Sequence, residues 1–233
     1  MTSTRLPGKV LKTVLNKPLL EYQVERLRRV KLADEIVIAT TTNEMDQPII
    51  GLCKKMKVQV FRGSEQDVLA RYYGAALTYN AAVVIRVTSD CPIIDPQVID
   101  RVISLYNVNF PKYDYVSNRL QPSYPRGMDT EVFSFKALKE AYSEARNEPE
   151  REHVTPFIYW QPERYKLGNV AYVQDESKHR WTVDTEDDFK LITIILESLY
   201  PHYREFNLED ILALFRQNPE LLKINAHVKQ KEI

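Results

Sequence analysis

The first half of the chain alternates buried-strand signals with amphipathic-helix signals, and few folds accommodate that rhythm. Residues 35–41, 58–61 and 82–87 are short β-branched and apolar runs, the pattern of strands covered on both faces. Pro18 opens a helix with Leu19, Leu20, Val24, Leu27 and Val30 at helical spacing, and residues 48–56 repeat the pattern. Residues 67–79 place Val68, Leu69, Tyr72, Ala75, Ala76 and Tyr79 in one stripe, and Pro96 opens a further helix to about residue 106. Strand and helix in this order make βαβ units whose crossovers share one hand and whose helices cover both sheet faces. The expected fold is α/β, a doubly wound, mostly parallel sheet. Ligands of such sheets lie beyond the carboxyl ends of the strands, so the segments after Thr41, Phe61 and Val87 are the places to search. The second half carries strand signals at residues 113–117, 130–135 and 165–173, helices between them, and amphipathic helices at 187–199 and 208–215. It reads as an extension of the same sheet plus a lobe facing substrate or a second copy. No Pro/Gly/Ser linker divides the chain, so residues 1–225 are expected to form one domain, with 226–233 a flexible tail.

Charge and composition exclude several classes of function. The 233 residues contain 32 Lys plus Arg against 32 Asp plus Glu, so no global positive field exists to hold a nucleic-acid polymer. With 6 glycines, 13 prolines and 14 tyrosines the chain is not a low-complexity protein. Cys53 and Cys91 offer neither a disulfide framework nor metal-ligand spacing, which suits the reducing cytoplasm. No apolar run approaches the roughly 20 residues of a membrane helix, and the first residues resemble no signal-peptide core. A cytoplasmic protein with no membrane association is expected.

Five segments carry chemistry. Ser3, Thr4, Arg5, Gly8 and Lys9 fall within seven residues; hydroxyls, a permissive backbone and two cations are what a triphosphate needs. An exposed loop with two solvated cations has the same composition, and the P-loop spacing is absent. Asp90 stands where the strand at 82–87 ends, and Asp184 follows a short strand around Trp181 and precedes a helix. Each alone reads more readily as a turn residue or helix cap than as a ligand, with Asp187 at a capping-box offset from Asp184. As a pair they suit one Mg2+ whose other sites are filled by phosphate oxygens and water. Ser64 and Asp67 lie between a strand and a helix, placed either to read the edge of a base or to cap the helix. Arg126, Asp129 and Glu131 surround Gly127, either as a hairpin turn or as a site for a polyhydroxylated or acidic small molecule. Of the four histidines, only His153 sits in a charged neighbourhood that looks purposeful, between Glu150 and Pro156.

The loop from Ser3 to Lys9, the Ser89-Asp90-Cys91-Pro92 segment and the Val183-Asp184-Thr185-Glu186-Asp187 segment occur in the order found in cytidylyltransferases that make CMP-activated acidic sugars. Residues 67–73, 127–135 and 150–158 are similar to further signatures of the SpsF-like branch, named for a spore coat polysaccharide biosynthesis protein. The resemblance spans nearly the whole chain and implies a nucleotide-diphospho-sugar transferase (GT-A-like) fold. It implies that Arg5 and Lys9 hold the triphosphate of CTP as the catalytic cations, with Ser3, Thr4, Gly8, Ser64 and Asp67 also at the nucleotide. Asp90 and Asp184 would hold Mg2+, while Arg126, Asp129, Glu131 and His153 would line the acceptor side. The implied reaction is attack of an acidic sugar or sugar phosphate on the α-phosphorus, pyrophosphate leaving, and the implied assembly is a homodimer. A glycosyltransferase on the same sheet and a non-catalytic binding subunit are the competing readings; the basic loop favours a triphosphate donor. In the family a buried strand precedes this loop, whereas here Met1 stands where that strand ends. The neighbouring strands are therefore expected to carry unpaired backbone groups, at about 1–3 kcal/mol for each one buried, and Arg5 and Lys9 to be free to move.

Overall fold

A computed structural model describes residues 5–229, so Ser3 and Thr4 lie outside the described residues. A single 3-10 turn, Lys9–Leu11, leads into a small hairpin of β1 (Thr13–Val14) and β2 (Lys17–Pro18). Its turn residues Leu15 and Asn16 take φ of 49° and 62°, the conformation of a two-residue hairpin turn. Helix α1 (Leu19–Leu27) and strand β3 (Val37–Thr41) follow, then α2 (Gln47–Met56), β4 (Gln59–Gly63), α3 (Val68–Thr78), β5 (Val83–Arg86) and α4 (Pro96–Val108). The second half comprises β6 (Tyr115–Ser117), β7 (Glu131–Ser134), α5 (Phe135–Glu144), α6 (Glu148–His153), α7 (Pro156–Tyr159), β8 (Leu167–Asn169), α8 (Glu186–Leu199) and α9 (Leu208–Gln217).

The helix ends have identifiable causes. Asp67 caps α3, its carboxylate accepting the Ala70 N–H at 2.8 Å. Asp95 caps α4 through the Gln97 N–H, with Pro96 at the first helical position. A reciprocal box of Thr185 and Asp188 starts α8. The strand signal at 130–135 breaks one residue early because Ser134 Oγ accepts the Ala137 N–H and starts a helix at Phe135. The signal at 165–173 contracts to β8. The segment around Trp181 forms no strand and makes only a parallel bridge between Arg126 and Arg180.

The α/β layer expected from the alternation is present, and its pairing is mixed. β3 pairs with β4 and β6 with β8 in parallel, whereas β7 runs antiparallel to both β5 and β6. The connection from β6 to β7, residues 118–130, contains no crossover helix of the kind that usually joins parallel neighbours, which suits an antiparallel return. Among the described residues β3 pairs only with β4 and β5 only with β7. Between their two open edges runs an apolar slot of about 210 Å3 that includes Ile38, Ala75, Ala76, Val83 and Ile85.

Core packing ties the basic loop down. Leu6 and Val14 are each 3% exposed and share one cluster with Trp181, Val183, Leu191 of α8 and Ile211 of α9. Arg5 and Lys9 flank Leu6, so burying that side chain locates both cations. Among the described residues no helix is long and apolar enough to cross a membrane.

Candidate active site

The site forms where three distant segments meet. Gly8, at φ 67° and ψ 15°, supplies the left-handed residue that turns the chain into the 3-10 helix starting at Lys9. Asp90 follows the end of β5, in a turn closed by the Cys91 N–H on the Thr88 carbonyl. The backbone N–H of Val183 donates to the Asp90 carbonyl at 2.8 Å, which brings Asp184 alongside Asp90. Neither aspartate caps a helix: Asp95 serves α4, and Thr185 with Asp188 serves α8. The cap reading of Asp184, with Asp187 as its box partner, is thereby replaced. Both carboxylates are left to face the loop.

Lys9 Nζ lies 3.0 Å from Asp90 Oδ2 and 2.7 Å from Asp184 Oδ1. Lys9 is thus held rather than free to move. Arg5 Nη2 is 3.1 Å, and Arg180 Nη2 2.7 Å, from the second Asp184 oxygen. Burial opposes the Lys9 charge, but the two carboxylates outweigh it and lift its pKa above the ordinary lysine value. Burial likewise pushes Asp184 up, and Lys9, Arg5 and Arg180 overcome it, leaving the carboxyl below its usual range. Two carboxylates converging on one cationic point, with a cavity beside them, is a donor set that suits a hard divalent cation completed by phosphate oxygens. Among the described residues no group of three or more His, Cys, Asp or Glu could hold a metal by itself.

Beside this cluster opens a cavity of about 290 Å3. Arg5, Asp90 and Asp184 form one wall, while Arg119, Arg126, Asp129 and His153 stand among the other lining residues. The bridge that carries Arg126 is locked on both sides, its N–H on the His179 carbonyl and the Trp181 N–H on its own carbonyl. Gly127, at φ 105°, makes that approach possible, because a β-carbon there would lie 2.7 Å from the Trp181 carbonyl oxygen. The turn reading and the site reading of this segment therefore both hold geometrically.

Three expected site residues are otherwise engaged. The carboxylate of Glu131, 2% exposed, pairs with Arg86 and accepts from Tyr115 Oη at 2.7 Å and Thr155 Oγ1 at 2.6 Å. It lines the cavity as a strut for arginines, not as an open acceptor ligand. Asp67 caps α3 and pairs with Arg151, and Ser64 Oγ accepts the Asp67 N–H at 3.1 Å. Neither is among the cavity's lining residues, and both belong to the helix start that the capping alternative describes. Conversely, Arg86, Arg119 and Arg180 escape a reading of the sequence. Arg86 has a signal, a lone cation closing an apolar strand run; Arg119 and Arg180 have none.

Asp129 differs from its neighbours in that burial raises its pKa, against the opposing pull of Arg119 and Arg126. A carboxyl whose folded pKa is raised costs stability above that value, and the cost disappears as pH falls toward the ordinary value of 3.8. Asp129→Asn is therefore expected to raise Tm at pH 7, with the gain shrinking as the medium is acidified to pH 4. A gain that does not depend on pH would contradict this account.

The layered sheet, with its site beyond the strand ends, is the nucleotide-diphospho-sugar transferase fold. A solved cytidylyltransferase from Leptospira borgpetersenii serovar Hardjo-bovis superposes with a TM-score of 0.91 at 32% identity, covering 100% of this chain and 95% of that one. The cytidylyltransferase family model matches residues 1–231, and the chain belongs to that family, in its SpsF-like branch. The spore coat polysaccharide biosynthesis protein SpsF of Bacillus subtilis is 30% identical over 227 residues, 94% of this chain and 92% of SpsF. An uncharacterised protein of Methanocaldococcus jannaschii is 38% identical over 234 residues, 98% of this chain and 92% of that protein.

Proposed function

We propose that the protein transfers CMP from CTP to an acidic sugar or sugar phosphate, releasing pyrophosphate, in the cytoplasmic synthesis of a surface or spore coat polysaccharide. The observation that carries this reading is the meeting of Lys9 and Arg5 with the Asp90–Asp184 pair at the wall of a cavity that also presents Arg119, Arg126 and His153. Family membership supports a nucleotidyl donor, and the cations of the cavity support an anionic acceptor. A homodimer is the assembly proposed for it.

In this mechanism Arg5 and Lys9 bind the triphosphate and neutralise the charge that grows on pyrophosphate. The residues fit Mg2+, with Asp90 and Asp184 as its protein ligands; when bound, the ion would polarise the α-phosphoryl group. Arg126 and His153 orient the acceptor so that its oxygen faces the α-phosphorus. The new P–O bond forms from the acceptor oxygen, the bond from the α-phosphorus to the pyrophosphate oxygen breaks, and the acceptor's proton passes to solvent. Acceleration comes from positioning and charge neutralisation, with no covalent enzyme intermediate.

Thermal unfolding with Mg2+ and each of CTP, UTP, ATP and GTP tests the donor. CTP at about 100 times its Kd is expected to add about 2.7 kcal/mol, and the other nucleotides less. In a pyrophosphate-release assay Lys9→Ala and Asp90→Ala are each expected to lose at least roughly 10²–10³ in turnover while remaining folded. A variant with wild-type turnover would remove that residue from the mechanism, and no nucleotide effect at all would refute the reading.

A further inference from the structure

The Lys9 ammonium occupies the point on which the two carboxylates converge, 3.0 Å from Asp90 and 2.7 Å from Asp184. A divalent cation ligated by both aspartates has to take that same place. The surroundings leave no reason for one to do so unaided. Arg5 and Arg180 already complete the charge on Asp184, and Arg180 also pairs with buried Asp188. Three cations thus face three carboxylates, and a further double positive charge would find no uncompensated anion.

Resting on the CTP reading above, we propose that Lys9 is an internal counter-ion that holds the metal position until a triphosphate withdraws it. A triphosphate changes the balance in one step. It is the one reactant with enough negative charge to draw Lys9 off the aspartates, which leaves Asp90 and Asp184 unneutralised. The carboxylate pair acquires affinity for a divalent cation only then. Binding is consequently ordered, with nucleotide first and metal second, and metal without nucleotide is held weakly. Buried Leu6 anchors the loop, so the exchange asks only the flexible four-carbon side chain of Lys9 to swing while the backbone stays. Lys12, one turn further on, pairs with exposed Glu186 and has no part in the exchange.

Mn2+ binding to the full chain, followed by the loss of the free-ion electron paramagnetic resonance signal, tests the proposal without reference to turnover. In nucleotide-free protein, Lys9→Gln is expected to bind Mn2+ about tenfold or more tightly than wild type, since a competing cation at contact distance is removed. Lys12→Gln is expected to match wild type. In EDTA, wild type is expected to bind CTP by calorimetry with no metal present. Equal Mn2+ affinity in wild type and Lys9→Gln would overturn the proposal, as would CTP binding that requires Mn2+ to be present first. Absence of CTP binding under every condition would refute the cytidylyl reading instead, and the nucleotide-free Mn2+ comparison would still decide whether Lys9 guards the position. Both variants are checked for a wild-type circular dichroism spectrum and cooperative unfolding, and Lys9→Met replaces Lys9→Gln if the latter fails that check.

Discussion

Asp188→Ala is expected to cost about 3–5 kcal/mol of folding free energy, the usual effect of removing one partner from a buried ion pair. Asp188 is fully buried. Its oxygens accept from Arg180 Nε and Nη2 at 3.0 and 3.2 Å, from the backbone N–H groups of Asp184 and Thr185 at 3.0 Å each, and from Asn225 Nδ2 at 2.8 Å. One side chain thereby starts α8, holds Arg180 against Asp184 and ties the chain near its end to the site. Truncation takes the main partner from a guanidinium only 10% exposed and strands two backbone donors. For a chain of this size the loss corresponds to a fall in Tm on the order of 10 °C. Chemical denaturation measures it directly, and a loss below about 1 kcal/mol would show that water or a shifted Arg180 compensates.

Glu131→Gln is expected to cost a similar amount, and its pH dependence identifies the cause. Burial pushes the Glu131 carboxyl up, but Arg86 and Arg119 outweigh it and hold its pKa below the ordinary 4.5. The sign follows from linkage: the contribution is fully present above pH 4.5 and is lost as pH falls through the lower folded value. Wild type should therefore lose stability on acidification more steeply than Glu131→Gln, and the two should converge in acid. Asp184, also depressed, adds to the slope in both proteins. A second comparison separates the ion pair from the packing. Arg86→Met combined with Glu131→Gln should cost less than the two single changes added together, because neither partner is then left charged and alone. Strict additivity would refute the pairing account.

Much of the architecture is legible in the sequence because it is locally encoded. Pro18, Pro48 and Pro96 fall within a residue or two of helix starts, and the apolar stripe of residues 67–79 is α3 to within a residue at each end. The runs at 35–41 and 82–87 are β3 and β5 with frayed ends. These signals need only side-chain periodicity and the chemistry of a helix terminus. Ser64 and Asp67 show where local reading divides: the same residues suit a base or a cap, and only the observed bonds, Asp67 to Ala70 and Arg151 and Ser64 to the Asp67 N–H, assign them to the helix start.

The pairing of Asp90 with Asp184 is compatible with the sequence but is dictated by nothing in its spacing, because 94 positions separate them. It depends on one backbone hydrogen bond, Val183 to Asp90, and on the burial of Trp181 and Val183 in the core. The role of Glu131 differs from expectation for a related reason. In sequence it is one of several charges around Gly127, and in space it is enclosed by Arg86 of β5, Tyr115 of β6 and Thr155 of the turn between α6 and α7. The antiparallel course of β7 likewise carries no signature in its own residues.

The amino-acid order alone was enough for the layered α/β class, most helix starts and the inventory of charged groups, since each follows from interactions within a few residues. Tertiary structure alone decided which carboxylates are open and which are consumed, and that Lys9 rather than solvent stands between Asp90 and Asp184. Those are matters of desolvation and of partners brought together by packing, and a side chain's neighbours in space are not written in its neighbours along the chain.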